Sequence, residues 1–172
     1  VILNYIQGFI DFTRKEKIPY SYNPEIYGVI CNLPDNQKVR DKFYSGEYLS
    51  QLKFYDDSLE ILNLLASKNE LHLVSALEPE QSKKRVENLK MLDYTTLQCV
   101  GNDRKEETVV KEIKPDIMIE DRPELIEAFH RAGIRVIFPD WHPYTKGMEL
   151  FATPFSHWNE IPFLLHNSIK KH

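Results

Sequence analysis

The chain has 172 residues, of which 42% are hydrophobic and 28% are charged, and its formal net charge is -4. These values are typical of one globular domain and exclude a disordered or fibrous chain. The acidic balance argues against polymeric nucleic acid as a partner, and no apolar run approaches the roughly 20 residues that cross a membrane. We therefore expect a cytoplasmic protein with no membrane partner, in which Cys31 and Cys99 are reduced thiols.

The N-terminal region, 1–55, is predicted to be small and mostly helical. Apolar residues from Ile2 to Phe12 recur at helical spacing, which predicts an amphipathic helix that ends before Pro19. The following segment, 19–55, is rich in Pro, Gly, Tyr and Phe, and it predicts short helices and turns. Its aromatic side chains either stack on a base or fill the core of this region, and we expect the second because aromatic residues dominate small cores. The residues concerned include Tyr20, Tyr22, Tyr27, Phe43 and Tyr44.

From residue 56 to residue 172, strands alternate with helices. Asp57 and Glu60 resemble a capping box at the start of an apolar helix. Short apolar runs predict four strands, at 71–76, 96–101, 115–121 and 134–140, with helices between them and a last helix over 158–169. This alternation predicts an α/β fold, a three-layer, doubly wound parallel sheet.

Ligands of such sheets bind beyond the carboxyl ends of the strands, so the residues at these ends are candidates for a site. Ser75 and Ala76 follow the first predicted strand, and the Ser75 hydroxyl with the next backbone N–H groups could hold an anion such as phosphate. The alternative is that Ser75 is a cap or turn residue, which is its usual role before a helix.

Charged residues follow the second and third strands. Glu120 and Asp121 are adjacent carboxylates, which repel each other unless a cation such as Mg²⁺ or strong hydrogen-bond donors hold them. The alternative is that both are solvated charges at the start of the next helix. Lys105 begins a helix, where the dipole disfavours positive charge, so we expect a partner, which a phosphate together with nearby carboxylates would supply. The alternative is an ordinary surface lysine beside Arg104.

In this order the segments resemble a known family. LHLVSAL, the lysine of GNDRKEE and PDIMIEDRPELIEAFHRAGIRVIFPDW are similar to the second, third and fourth motifs of the haloacid dehalogenase superfamily. Within it, IEDRPE, FYDDSLEILNLLAS and SHWNEI resemble the 5'-nucleotidase and 5'(3')-deoxyribonucleotidase branch. The resemblance covers the chain from about Tyr55 onward, and it implies a Rossmann-like core at 56–172 with a small helical cap at 1–55.

The resemblance also implies a Mg²⁺-dependent phosphomonoester hydrolase for a nucleotide-like or other small phosphorylated metabolite. In the superfamily, the first aspartate of a D-x-D-x-[TV] motif attacks phosphorus and forms an aspartyl-phosphate. Ser75 and the backbone of Ala76 would then bind phosphate, and Lys105 would steady the nucleophile and the phosphate. Asp121 would ligate Mg²⁺, with Glu120 as a supporting or water-mediated acid.

The first motif of the superfamily does not occur in this sequence. Asp11 is the only early acid in an apolar setting, and it falls within the helical pattern. We expect the motif upstream of Val1, so that the core lacks its first strand and the chain as given is inactive. The main alternative is a non-catalytic anion-binding or regulatory relative that has lost the nucleophile; a response-regulator-like signalling domain fits less well. Trp141 and His142, beyond the fourth strand, either line the substrate mouth or are exposed.

Overall fold

A computed structural model describes residues 2–28, 30–31 and 36–166 of the chain. The helices are Tyr5–Lys15 (α1), Asn36–Ser45 (α2), Ser58–Ala66 (α3), Ser82–Asn88 (α4), Lys105–Glu107 (α5), Pro123–Arg131 (α6) and Ile161–His166 (α7). The strands are Tyr20–Ser21 (β1), Ile30–Cys31 (β2), His72–Ser75 (β3), Thr96–Cys99 (β4), Ile117–Ile119 (β5), Arg135–Pro139 (β6) and Thr153–Phe155 (β7). A π-helical segment at Thr108–Ile113 continues α5, and short 3-10 helices occur at Leu49–Gln51, Pro79–Gln81, Pro143–Thr145, Met148–Leu150 and Trp158–Glu160.

The central layer consists of parallel strands, which confirms the predicted α/β fold class. β3 pairs in parallel with β4, and β6 pairs in parallel with both β5 and β7. Helical segments connect β3 to β4, β4 to β5 and β5 to β6, as a doubly wound sheet requires. The carboxyl ends of these strands therefore lie at one edge of the layer.

The layer is divided between β3 and β5. In the described part of the chain these two strands belong to separate hydrogen-bonded sheets, β3–β4 and β5–β6–β7. Their faces are nevertheless aligned, because Leu73 and Ile119 pack into one apolar cluster while Val74 and Met118 pack into the other. The two sheets thus form two halves of one layer, with β3 and β5 as their facing edges.

Helix α6 illustrates why the elements after β5 form where the sequence predicts them. Pro123 occupies the first turn, where its missing N–H costs nothing. Gly133 follows the helix with a φ of +79°, a conformation that favours glycine at a helix end. Between them, Leu125, Ile126 and Phe129 are buried against β6 and its neighbours. Local sequence and packing therefore agree.

The N-terminal region is joined to the sheet layer by shared packing. Phe43 of α2 is fully buried, and the rings of Phe9 and Phe12 of α1 lie 5.0 and 5.3 Å from its ring. The same apolar cluster includes Leu73 of β3. Lys84 of α4 donates its ammonium to backbone carbonyl oxygens at the C-terminal end of α2. One of these is the carbonyl oxygen of Tyr44, at 2.6 Å. Phe43 is thus core, as the composition of this region predicts.

The structure differs from the sequence prediction in several elements. The capping box is wrong: Asp57 has a φ of +62° and makes no side-chain cap, because the turn before α3 is closed by Ser58 donating to the Tyr55 carbonyl. The antiparallel pair β1–β2 and the parallel strand β7 were not predicted. The last predicted helix divides into Trp158–Glu160 and α7, and its residues 167–169 lie outside the described residues. Among the described residues, no helix is long and apolar enough to span a membrane.

Candidate functional site

The loops that follow β3, β4 and β5 are bonded to one another at the carboxyl edge of the layer. The N–H of Gly101 donates to the carbonyl of Leu77 at 2.9 Å, which joins the loops after β3 and β4. Arg122 Nη1 donates to Asn102 Oδ1 at 2.9 Å, which joins the loops after β4 and β5. The strand-end residues selected from the sequence therefore lie on one connected surface.

Lys105 and Glu120 form a buried ion pair at the centre of this surface. Lys105 Nζ lies 2.6 Å from Glu120 Oε2, and the two side chains are only 11% and 1% exposed. The other oxygen, Glu120 Oε1, accepts the N–H groups of Asp121 at 3.0 Å and Arg122 at 3.2 Å. Glu120 thus holds the loop after β5 and neutralises the lysine, so Lys105 is not an ordinary surface residue.

Asp121 has a different environment from its neighbour. Tyr144 donates its hydroxyl to Asp121 Oδ2 at 3.1 Å, which connects the loop after β5 to the segment after β6. Burial alone would raise the pKa of the Asp121 carboxyl. The Lys105 ammonium nearby acts in the opposite direction and lowers this pKa, because positive charge favours the ionised carboxylate. Asp121 is therefore a buried carboxylate beside a fixed positive charge.

A cavity of about 60 Å³ lies against Asp121, and half of the residues that line it are tyrosines. Tyr144 contributes from the core, and Tyr5, Tyr27 and Tyr55 contribute from the N-terminal region. The Tyr27 ring contacts the Tyr144 ring edge-on, with 5.3 Å between the ring centres. The N-terminal region therefore covers the acidic edge of the sheet layer, and Tyr27 faces this site and not the aromatic core.

His142 is buried beside the same cavity. It is only 7% exposed, and its ring stacks on Tyr144 with 4.8 Å between the ring centres and an interplanar angle of 12°. Burial lowers the pKa of His142, although the Asp121 carboxylate works in the opposite direction. The Trp141 ring packs against the Tyr55 ring, with 5.6 Å between their centres. An exposed loop histidine, one of the two possibilities from the sequence, is thus ruled out.

Ser75 ends β3 on the neighbouring loop. Its hydroxyl accepts the N–H of Leu77 at 3.4 Å, and its backbone pairs in register with Cys99 of β4. Burial raises the pKa of the Cys99 thiol, so this group is neutral. The structure brings together Lys105, Glu120 and Asp121; Ser75 and Ala76 lie one loop away, and in the described part of the chain Ser75 makes no hydrogen bond to Lys105.

Two residues of this surface escaped the sequence analysis. Tyr144 donates to Asp121, which lies 23 residues earlier in the sequence, and no local sequence pattern indicates such a contact. Arg85 of α4 has a buried Nε atom and lies close to Cys99, whereas the sequence offers no distinction between it and the basic residues before it. Both residues depend on tertiary packing, which a single sequence does not display.

Of the two adjacent carboxylates, Asp121 and Glu120, only one is placed to bind Mg²⁺. Among residues 2–28, 30–31 and 36–166 there is no group of three or more His, Cys, Asp or Glu side chains that could hold a metal ion. Mg²⁺ needs only one or two protein carboxylates when phosphate and water complete its shell. Asp121 fits as one such ligand because its carboxylate lines the cavity, while Glu120 is bound by Lys105 and two N–H groups.

Comparisons with known proteins identify the fold. No protein-family model matches the chain, and no curated protein matches it. Among solved structures, the chain is similar to a haloacid dehalogenase-like family hydrolase from Streptococcus pneumoniae, with a TM-score of 0.67 and 11% sequence identity. The match covers 92% of this chain and 89% of that one. The chain therefore has the Rossmann-like fold of a haloacid dehalogenase-like hydrolase.

Proposed function

We propose that this protein is a Mg²⁺-dependent phosphomonoester hydrolase for a nucleotide-like or other small phosphorylated metabolite. The observation that carries the proposal is the buried Lys105–Glu120 pair next to Asp121, at the carboxyl edge of a sheet with the fold of haloacid dehalogenase-like hydrolases. A lysine that is 11% exposed and held by a carboxylate is suited to a fixed electrostatic role, since water screens it little.

Each residue of the site has a proposed role. Ser75 and the backbone of Ala76 bind the phosphate, and Lys105 stabilises the negative charge that develops on it. Asp121 binds Mg²⁺, with Glu120 as the group that fixes the position of Lys105 and supports the loop. Mg²⁺, when bound, would neutralise phosphate charge.

The nucleophile is proposed to lie on a strand before Val1. Two observations support this placement. β3 and β5 belong to separate sheets although their faces are aligned, which suits an additional strand between them. Leu3 and Tyr5 also line the cavity beside Asp121, so a segment that precedes them would approach this carboxylate. In the proposed reaction, an aspartate oxygen bonds to phosphorus as the bond to the leaving alcohol breaks, and water then hydrolyses the aspartyl-phosphate.

The proposal is tested with the full-length gene product. Phosphate release is measured over a panel of phosphomonoesters, with Mg²⁺ and with EDTA, for the wild-type protein and for Ser75→Ala. We expect release that requires Mg²⁺ and falls strongly in the variant, because a hydrogen bond to charged phosphate is lost. No turnover by a protein with an intact upstream D-x-D motif would refute the proposal.

The second candidate function is a non-catalytic binding protein that retains the anion site. It is favoured by one observation, that no D-x-D-x-[TV] motif occurs in the sequence. The codons upstream of Val1 separate the two candidates. A D-x-D motif followed directly by Val1 supports the hydrolase, and its absence from the gene supports the binding protein.

A further inference from the structure

Arg85 is a half-buried cation on α4, and one of its donors is buried without an acceptor in the described part of the chain. Its Nε atom is buried and has no hydrogen-bond partner among the described residues. Its Nη1 donates a long hydrogen bond of 3.4 Å to Asn88 Oδ1, and Asn88 Nδ2 is also buried without an acceptor in the described part of the chain. Buried donors are almost always paired, so two neighbouring donors without acceptors indicate that an acceptor is missing.

Arg85 lies between the proposed phosphate position and the N-terminal region. Its guanidinium is within electrostatic range of Cys99 and of the hydroxyls of Tyr5 and Tyr44. Cys99 pairs in register with Ser75, so their side chains lie side by side on one face of the sheet. The guanidinium is therefore separated by about one side chain from the hydroxyl that is proposed to bind phosphate.

Two of the described groups near Arg85 supply no negative charge. Burial raises the pKa of the Cys99 thiol and the pKa of the Tyr5 hydroxyl, so both are neutral near pH 7. Burial also lowers the pKa of Arg85, but a guanidinium stays protonated in proteins. A buried donor without an acceptor is unfavourable, and guanidinium geometry matches carboxylate and phosphate. An anion from outside the described residues would relieve this cost.

We propose that Arg85 and Ser75 form a subsite for two anionic groups of one substrate. Ser75 binds the phosphomonoester, and Arg85 binds a second anionic group, a carboxylate or another phosphate. The inference rests on the proposed function and extends its phosphate position. It names the substrate class as small monoesters that carry a second negative charge, in contrast to monoesters with a neutral leaving group.

The test is equilibrium binding of three non-hydrolysable ligands to the full-length gene product at a fixed Mg²⁺ concentration. Methylphosphonate has no second anion, phosphonoacetate has a carboxylate, and methylenediphosphonate has a second phosphonate. Binding is measured by calorimetry for the wild-type protein, for Arg85→Met and for Lys83→Met. Lys83 is an exposed lysine of the same helix, so its variant is a matched control for the loss of one positive charge.

We expect the wild-type protein to bind one of the two dianionic ligands about tenfold more tightly than methylphosphonate, or better, since charged hydrogen bonds contribute that much. This preference should disappear in Arg85→Met and persist in Lys83→Met. The proposal is wrong if the wild-type protein shows no preference for dianionic ligands, or if Arg85→Met retains this preference. If the methionine variant does not fold, Arg85→Gln is used in the same test. If the protein prefers dianionic ligands but shows no turnover, only the proposed hydrolase activity is refuted. If it shows turnover but its preference for dianionic ligands is unchanged in Arg85→Met, only the subsite is refuted.

Discussion

Glu120 and Asp121 are adjacent in sequence, yet the structure gives them different environments. Both oxygens of Glu120 are engaged, one by Lys105 and the other by two backbone N–H groups, and its side chain is 1% exposed. Asp121 instead lines a cavity, where the Tyr144 hydroxyl donates to it. Two adjacent carboxylates can therefore have different structural roles. One carboxylate organises the loop, and the other lines the cavity.

The largest expected effect comes from removing the ion pair between Lys105 and Glu120. Lys105→Met leaves the Glu120 carboxylate buried without its counter-charge, which should lower the free energy of unfolding by about 3–5 kcal/mol. Urea unfolding measures this loss. The matched control is Lys111→Met, which removes the lysine of an exposed pair with Glu107 and should cost less than about 1 kcal/mol.

The double variant Lys105→Met with Glu120→Gln sharpens the same point. The substituted amide would be neutral and could still accept the N–H groups of Asp121 and Arg122, so most of the lost stability should return. A Lys105→Met protein as stable as the Lys111→Met control would show that the pair is solvated, and the contrast with Asp121 would then fail.

The next largest effect concerns the hydrogen bond from Tyr144 to Asp121. Tyr144→Phe keeps the ring that stacks on His142 and removes the hydroxyl that donates to Asp121. The buried carboxylate loses a donor, so the free energy of unfolding should fall by about 1–3 kcal/mol. The control is Tyr20→Phe, which removes an exposed hydrogen bond to Arg14 and should have little effect. Equal thermal stability of the two variants would contradict the role assigned to Tyr144.

The smallest expected effect is a pH dependence from His142. Burial lowers its pKa in the folded protein below the ordinary value of 6.5. Between that lowered pKa and 6.5 the unfolded chain binds more protons, so stability should fall as the pH drops through this window. His142→Phe removes the titrating ring, and the unfolding free energy measured from pH 7 downward should then change less. A steeper pH dependence in the variant would show that the sign is wrong.

The sheet layer could be predicted from sequence because its signals are local. Apolar runs bounded by Pro, Gly and Asn mark β3 to β6, and Pro123 and Gly133 bound α6. The strand-end rule then selected Lys105, Glu120 and Asp121, which the structure brings together. A partner for Lys105 was expected from the helix dipole, and Glu120 is that partner.

The other features depend on contacts between distant residues. β1 and β2 are very short, and β7 contains Pro154, so none of them presents a run long enough to indicate a strand. The capping box at Asp57 matched a pattern, but backbone bonds in the preceding turn determine its conformation. Tyr144 and Arg85 acquire their roles only when separate segments pack together.

Asp121 is proposed to hold Mg²⁺ for phosphomonoester hydrolysis. The most direct measurement is the rate of phosphate release by the full-length gene product as Mg²⁺ is increased, for the wild-type protein and for Asp121→Asn. Asparagine can still accept the Tyr144 hydroxyl, so thermal unfolding without metal should change little. We predict that the variant loses the Mg²⁺-dependent rate while it stays folded. An unchanged Mg²⁺ dependence in folded Asp121→Asn would contradict the claim.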